Sequence, residues 1–328
     1  MDQPGPRLAE TPAVSALRQA VRRWLAEYAA GRSVGVALSG GADSTALTAA
    51  AVAEAGSVTA LVVDHGLQSD SAAVAAQAAA TARELGCVAA RVLPVRVGRA
   101  GGPEAAARRA RYAALDAARA GSPVLFGHTL DDQAESVLLG LGRGSGPRSI
   151  QGMRPFDPPW GRPLLAVRRT VTRQACADLG VTPYEDPHNS APEFTRVRLR
   201  TEALPLLEQI LGGGVAPALA RTATQLQEDG AVLDAAAVEL LTNAGAGAGL
   251  SVAVLAAAPP AVRRRTVRAW LRGAGVTAST DRHLRAVDRL VTDWHGQGPV
   301  AVGGAGTGAR LVVARRHGRL ALERAVVS

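Results

Sequence analysis

The sequence predicts an α/β fold: a doubly wound parallel sheet with a leading helix, then a second, smaller, mainly α-helical C-terminal domain ending in short strands. Two observations carry this prediction. Short β-branched runs alternate with alanine-rich stretches of helix formers up to about residue 142, and such alternation implies right-handed crossovers and a parallel sheet covered on both faces. After LGGGVAP, near residue 212, helical periodicity takes over.

The elements follow in order. TPAVSALRQAVRRWLAEYAA (11–30) has apolar residues at helical spacing and stops before Gly31, which predicts the leading helix. VGVAL reads as a buried strand, and a helix follows over about 44–55. VTALVVDHG (58–66) is a second strand, SAAVAAQAAATARELG (71–86) a second helix and VAARVLPVRV (88–97) a third strand. EAAARRARYAALDAARAG (104–121) is a helix closed by Gly121, PVLFGH (123–128) a fourth strand, and LDDQAESVLLGLG a further helix. Ligands of such sheets bind at the carboxyl ends of the strands. SGGADS (39–44), Asp64-His65 and Gly127-His128 all fall there.

Beyond the boundary, 215–244 has helical periodicity, and PPAVRRRTVRAWLRGAG (259–275) is a basic helix opened by its prolines. STDRHLRAVDRLVTDW (279–294) is a helix capped by Ser279 or Thr280. The final GPVAVGGAGTGARLVVARRHGRLALER predicts two or three short strands, with GGAGTG as turn chemistry and not a second phosphate site. Residues 1–200 form the first expected domain, 201–214 a linker and 215–328 the second.

Composition bounds the function. With 328 residues and 47% hydrophobic content the chain is globular and long enough for two domains. No apolar run approaches the ~18 residues of a membrane span, and MDQPGPRLAETPAV lacks the regions of a signal peptide. A cytoplasmic location without membrane contact is expected. Cys87 and Cys176 form no C-x-x-C pair and read as buried thiols. The net charge is +9 and all 37 basic residues are arginine. Such a balance suits a polyanionic partner, because bound phosphates release counterions. The absence of lysine excludes the Walker A loop, which needs one to reach the β- and γ-phosphates.

The SGGADS turn has its own chemistry. Glycine lets backbone approach a ligand closely, and the helix starting near Asp43 and Ser44 offers free N–H groups and a positive dipole end. Together they form an anion cradle, to which Ser39 and Ser44 add hydroxyls. The alternative is a glycine-rich turn in which Asp43 or Ser44 merely caps the helix. The spacing lacks G-x-G-x-x-G, which argues against a dinucleotide fold. Asp43 beside anions is unfavourable unless it binds Mg²⁺. Asp131, Asp132 and Glu135 place three acids within five residues after a strand end, as candidates for metal or proton chemistry or as dipole complements. Arg196, Arg198 and Arg200 alternate at period two, on one face of an extended segment or fanned around a loop, either of which can address successive phosphates. Arg108 and Arg111 lie one helical turn apart.

SGGADS resembles the S-G-G-x-D-S pyrophosphate loop of the N-type ATP pyrophosphatases, the PP-loop superfamily, which split ATP between its α- and β-phosphates. Four further stretches narrow the resemblance. EAAARRARY (104–112), HTLDDQAESVLLGLGRGSGPRSIQGM (128–153), RPLLAVRR (162–169) and YEDPHNSAPEFTRVRLRTEALPLL (184–207) are similar, in order, to motifs of the tRNA(Ile)-lysidine synthetases. The likeness spans about residues 31–210, and the region after 215 resembles their substrate-binding domain. This sequence departs from the family pattern at Thr129, in place of a second histidine, at Ser136, at His188 before Asn189, at Val197 and at Asp64.

The resemblance implies a ligase that joins free L-lysine to C2 of the wobble cytidine of a CAU-anticodon tRNA(Ile). ATP adenylates O2 first, AMP and pyrophosphate are released, and the codon read changes from AUG to AUA. It implies ATP and Mg²⁺, with Asp43, His128 and Asp132 as catalytic residues and Asp43 and Asp132 as metal ligands. Ser39, Gly40, Gly41, Ala42, Asp43, Ser44, Asp64 and Gly127 would hold the nucleotide. Asp131 and Glu135 would bind lysine, and Arg108, Arg111, Arg143, Arg196, Arg198 and Arg200 the tRNA. AVRRRTVRAWLR, with five arginines and no acid, adds a candidate tRNA contact in the second domain. A homodimer is allowed. A tRNA thiolase would normally need a cysteine pair, and an amidotransferase synthetase a glutaminase domain; neither is evident. An inactive RNA-binding module is the remaining rival, which the intact SGGADS and DDQAES disfavour.

Overall fold

The structure is a computed structural model that describes residues 10–66, 70–98, 102–144, 146–186, 191–245, 249–276, 279–304 and 309–326. His188, Asn189 and most of GGAGTG lie outside the described residues. The chain divides into two compact units, Met1–Leu139 with Gly152–Thr222, and Gly140–Gln151 with Ala223–Ser328.

The first unit runs α1 (Pro12–Tyr28), β1 (Val34–Ala37), α2 (Ala42–Glu54), β2 (Val58–Asp64), α3 (Ser71–Glu84), β3 (Ala89–Pro94), α4 (Pro103–Ala118), β4 (Val124–Phe126) and α5 (Leu130–Gly142). A hairpin of β5 (Phe156–Asp157) and β6 (Trp160–Gly161), then α6 (Arg169–Asp178), follow. The sheet order is β3-β2-β1-β4-β6-β5. All pairings are parallel except that of β5 with β6. The parallel, doubly wound reading therefore holds, with an edge hairpin too short to leave a periodic signal.

Period-two alternation assigns the two faces. Val34, Val36, Val58, Ala60, Val62 and Leu125 pack against α1, α2, α3 and α6. Ala37, Leu61, Val124 and Phe126 pack against Leu115 and Ala118 of α4. The strands are buried on both sides, which is why they read as continuous apolar runs. Each fully buried aliphatic side chain contributes roughly 1.5–3 kcal/mol. Cys87 and Cys176 are both buried, as expected.

Residues 195–210 differ from expectation. They form α7 (Thr195–Arg198), a π-helical turn (Leu199–Ala203) and α8 (Leu204–Ile210). The alternating arginines therefore sit on helix, neither on an extended strand nor around a loop. Arg196 and Arg200 consequently share a face, four residues apart, while Arg198 points elsewhere. The buried Val197 and Leu204 supply the tertiary reason, Leu204 packing with Leu130, Ala134 and Val215. The stretch 201–214, read as a linker, is thus largely helical and lies within the first unit.

The second unit takes most of α9 (Val215–Ala244), β7 (Leu250–Ser251), α10 (Val252–Ala256), α11 (Pro260–Gly273), α12 (Asp281–Thr292), β8 (Val300–Gly304), β9 (Ala309–Arg316) and β10 (Arg319–Val326). Its antiparallel sheet has the order β7-β10-β9-β8. Leu255, Leu271, Val287, Leu290, Val313 and Leu320 form its core. Thr280 caps α12 in a capping box with His283. Among the described residues, no single helix is long and apolar enough to cross a membrane.

Candidate active site

The loop after β1 is braced by its own side chains. Ser44 Oγ accepts from the Ser39 N–H at 3.2 Å and donates to the Gly41 carbonyl at 3.0 Å. The Gly40 carbonyl accepts from Tyr184 N–H at 2.9 Å and Thr45 Oγ1 at 3.3 Å. Gly40 has φ +85°, a left-handed conformation that favours glycine. Gly41 occupies the N-cap of α2 with no side-chain cap, so the first-turn N–H groups keep the vacancies that helices leave there. Gly127, at the end of β4, faces that turn so closely that a Cβ would lie 2.8 Å from the backbone of Asp43 and Ser44. Its lack of a side chain is what lets β4 and α2 meet.

The acids at the start of α5 face this cradle. Thr129 is fully buried and forms a capping box: Asp132 Oδ2 accepts from the Thr129 N–H and hydroxyl, both at 2.8 Å. The departure from the family's second histidine thus becomes a helix cap. Arg169, the first residue of α6, donates from Nε to Asp43 Oδ2 at 3.2 Å, from Nη2 to Asp132 Oδ1 at 2.5 Å and from Nη1 to Glu135 Oε1 at 3.3 Å. Its backbone N–H donates to Asp131 Oδ2 at 2.7 Å, and Arg168 pairs with Asp131 at 3.1 Å. Glu135 is fully buried and also receives Arg200 at 2.9 Å, with Arg196 at 3.8 Å. Asp43 Oδ1 takes the Thr172 hydroxyl.

Burial and charge set the protonation states. Burial raises the pKa of Asp43, outweighing the Thr172 hydrogen bond and the Arg169 charge that lower it. Burial opposes ionisation of Asp132 too, but there Arg169 and the Thr129 amide prevail and the pKa falls. Arg169 is disfavoured by burial, yet Asp132, Asp43 and Glu135 hold it firmly protonated. His128 is driven below its ordinary range by burial, with Arg162, Arg111 and Arg108 adding to the effect against Asp132. Its ring stacks on Phe126 at 5.5 Å, and its Nδ1 is buried without a partner among the described residues.

A cleft of about 1030 Å³ brings Ser39, Gly41, Ala42, Asp43, Ser44, Gly127, His128, Asp132, Arg111 and Arg200 together. A second pocket of about 300 Å³ shares Ser39, Gly41 and Arg111 with it and continues along Leu61, Val62 and Val63 to Asp64 and His65. Asp64 Oδ1 accepts from the Gly66 N–H at 3.0 Å, which shapes the turn after β2. Arg111 lies against Phe126, 5.2 Å from the ring centre, and burial lowers its pKa. It faces these pockets, whereas Arg108 is exposed beside Tyr112. Arg143 is exposed and belongs to the second unit, and Arg198 is exposed and paired with Glu202. Asp131 and Glu135 do not line the cleft.

Sequence reasoning missed Arg169, Thr172 and Tyr184. The arginine was visible only as the last residue of RPLLAVRR, with nothing local to separate it from Arg168. As for a metal, among the described residues no three His, Cys, Asp or Glu side chains could hold one together. Two carboxylates, Asp43 and Asp132, converge on the cleft, which is the number Mg²⁺ commonly takes when phosphates and water complete its shell.

Residues 13–207 match a family described as a PP-loop domain, and residues 250–321 match the TilS substrate binding domain. A tRNA(Ile)-lysidine synthase of Nocardia farcinica is 68% identical over 310 residues, covering 94% of this chain and 98% of that protein. One from Rhodococcus erythropolis is 66% identical over 315 residues, covering 96% and 97%. One from Mycobacterium tuberculosis is 62% identical over 293 residues, covering 88% and 90%. Among solved structures, the U34-tRNA thiolase NcsA from Methanococcus maripaludis superposes with a TM-score of 0.54 at 16% identity, over 66% of this chain and 80% of that one. That likeness shows the fold alone.

Proposed function

The chain belongs to the tRNA(Ile)-lysidine synthase family, and on that premise we propose the course of its reaction and the residues that carry it. It is a PP-loop ligase that uses ATP to form lysidine on tRNA(Ile). In the first step, O2 of the wobble cytidine of a CAU anticodon attacks the α-phosphorus, and the bond to the bridging oxygen breaks to release pyrophosphate. In the second, the ε-amine of free lysine attacks C2, and the C2–O2 bond breaks to release AMP.

The observation that supports this reading best is the shared cleft, where the SGGADS cradle at the end of β1 meets His128 and Asp132 after β4. First-turn amides of α2 suit the pyrophosphate oxygens. The apolar pocket along β2 suits the adenosine, with Arg111 reaching the nucleotide and not the tRNA. Asp43 and Asp132 would hold Mg²⁺, whose charge would offset that developing on the phosphates. His128, kept neutral, can hydrogen-bond a phosphate without adding charge. The attacking amine must be neutral, although its ordinary pKa is about 10.4. Asp132, which lines the cleft, is the proposed acceptor of its proton. Asp131, held by Arg168 and the Arg169 amide, remains the candidate for the lysine ammonium. Glu135 is an anchor for three arginines, not a ligand for lysine. Arg108, Arg143, Arg198 and, on α11, Arg268 and Arg272 are the arginines proposed for tRNA.

The test is transfer of labelled lysine to a CAU-anticodon tRNA(Ile) with ATP and Mg²⁺, beside a transcript with U at the wobble position. Label in the first alone, with AMP as co-product, is the expected result. ATP cleavage without lysine transfer would reassign the nucleophile, and no cleavage at all would favour an inactive RNA-binding protein.

A further inference from the structure

One guanidinium occupies the centre of the acid cluster. Arg169 uses all three of its nitrogens at once, on Asp43, Asp132 and Glu135, and its side chain is 14% exposed. The four oxygens of Asp43 and Asp132 are then all taken: Thr172 and Arg169 hold those of Asp43, and Arg169 and Thr129 those of Asp132. A divalent cation approaching either carboxylate from the cleft therefore meets oxygens already hydrogen-bonded to Arg169, and must compete with it for them. The site as folded is charge-balanced by arginine.

We propose that Arg169 is a resident counter-cation, which holds Asp43 and Asp132 in the nucleotide-free enzyme and yields them when Mg²⁺ arrives with ATP. This rests on the reading of those two acids as metal ligands. The exchange replaces one cation by another, so the carboxylates are never left buried and uncompensated, a state that costs several kcal/mol. The displaced fork keeps Glu135 through Nη1 and can turn its other edge to the arriving phosphates, whose geometry it matches. Arg169 thereby acts as a positioning residue, ordering metal entry behind nucleotide binding. A merely structural ion pair would hold the acids equally with or without nucleotide.

The experiment is titration of Mn²⁺ into the full-length enzyme, read by electron paramagnetic resonance, without tRNA or lysine. Wild type should bind Mn²⁺ weakly alone and strongly with a non-cleavable α,β-methylene ATP analogue. Arg169→Met should bind Mn²⁺ alone at least about tenfold more tightly than wild type, a shift of ~1.4 kcal/mol, and adding Asp43→Asn should abolish the gain. Arg169→Lys, which keeps the charge but cannot span two carboxylates, should lie between and guards against a Met variant that does not fold. Affinity for Mn²⁺ alone unchanged in both variants overturns the proposal. A gain that survives Asp43→Asn overturns it too, by placing the metal elsewhere. Because the signal needs no turnover, failure of lysine transfer is distinguishable from failure here.

Discussion

Arginine does opposite work in the two units. In the first, Arg168, Arg169, Arg196 and Arg200 meet Asp43, Asp131, Asp132 and Glu135, four charges against four. In the second, Arg148 and Arg265 share the single carboxylate of Asp234. Among the described residues Arg268 makes no hydrogen bond or ion pair, and its charge is opposed by burial and by Arg148, Arg272 and Arg265, with Asp281 in its favour. Balanced charge fixes side chains around a small reacting centre. Surplus charge stores a repulsion that a polyanion would relieve, which is the basis for proposing α11 as a tRNA contact.

The largest expected effect comes from unbalancing the first unit. Glu135→Ala would leave Arg169 and Arg200 facing a buried void, and loss of one partner from a buried ion cluster costs about 3–5 kcal/mol. Urea unfolding should show that loss, with lysidine formation abolished; a cost below about 1 kcal/mol would mean the arginines are solvated and the contrast unreal. The second unit also holds ion pairs by which to sharpen it, the most buried being that of Arg263 with Asp288 at 2.6 Å, which Arg264 joins at 3.5 Å. Asp288→Ala should cost about 3 kcal/mol yet leave the activity per folded molecule intact when the tRNA is saturating. A selective loss of lysine transfer would show that this pair serves the chemistry as well.

Smaller, and opposite in sign for stability, is the pair of changes Arg268→Gln and Arg272→Gln. Removing mutually repelling charges should leave the melting temperature unchanged or higher. The slope of log affinity for tRNA against log salt should flatten by roughly 1–2, as about two phosphate contacts disappear. An unchanged slope would mean that this surplus faces solvent and no nucleic acid.

The sheet and the cradle were legible because both are local. VGVAL and VTALVVD are apolar without interruption, as strands buried on both faces must be, and SGGADS joins a strand to a helix with its own conformational requirements. Arg196–Arg200 misled for the converse reason. Their alternation copies the period of a strand, but Glu135, 61 positions earlier than Arg196, captures residues 196 and 200 together, as only a helix allows. Arg169 was invisible because its three carboxylate partners lie on two other elements. The β5–β6 hairpin has two residues per strand, too few for any period.

The subtlest test concerns an exception within the first unit. Around His128 burial and arginine act together against Asp132: Arg162 is 7% exposed, its Nε without a partner among the described residues, and with Arg111 and Arg108 it disfavours a charged imidazole after burial has already done so. The folded pKa of His128 is therefore below its ordinary 6.5. A group so depressed stabilises the fold fully above that ordinary value, and the contribution is lost as pH falls from about 6.5 towards the folded pKa. Asp132 is also depressed, but its contribution is lost only below the ordinary carboxylate range near pH 4. Asp43, whose pKa is raised, changes in the opposite sense, since protonation favours the fold. Comparing wild type with His128→Asn at each pH cancels Asp43, whose shift does not come from His128, and the interval from pH 7 to 5 lies above the titration of Asp132. The melting temperature of wild type should fall more than that of the variant between pH 7 and 5, with no difference in slope above pH 7. Parallel curves over that interval would mean that Asp132 offsets burial and the arginines, and that the charges here are balanced after all.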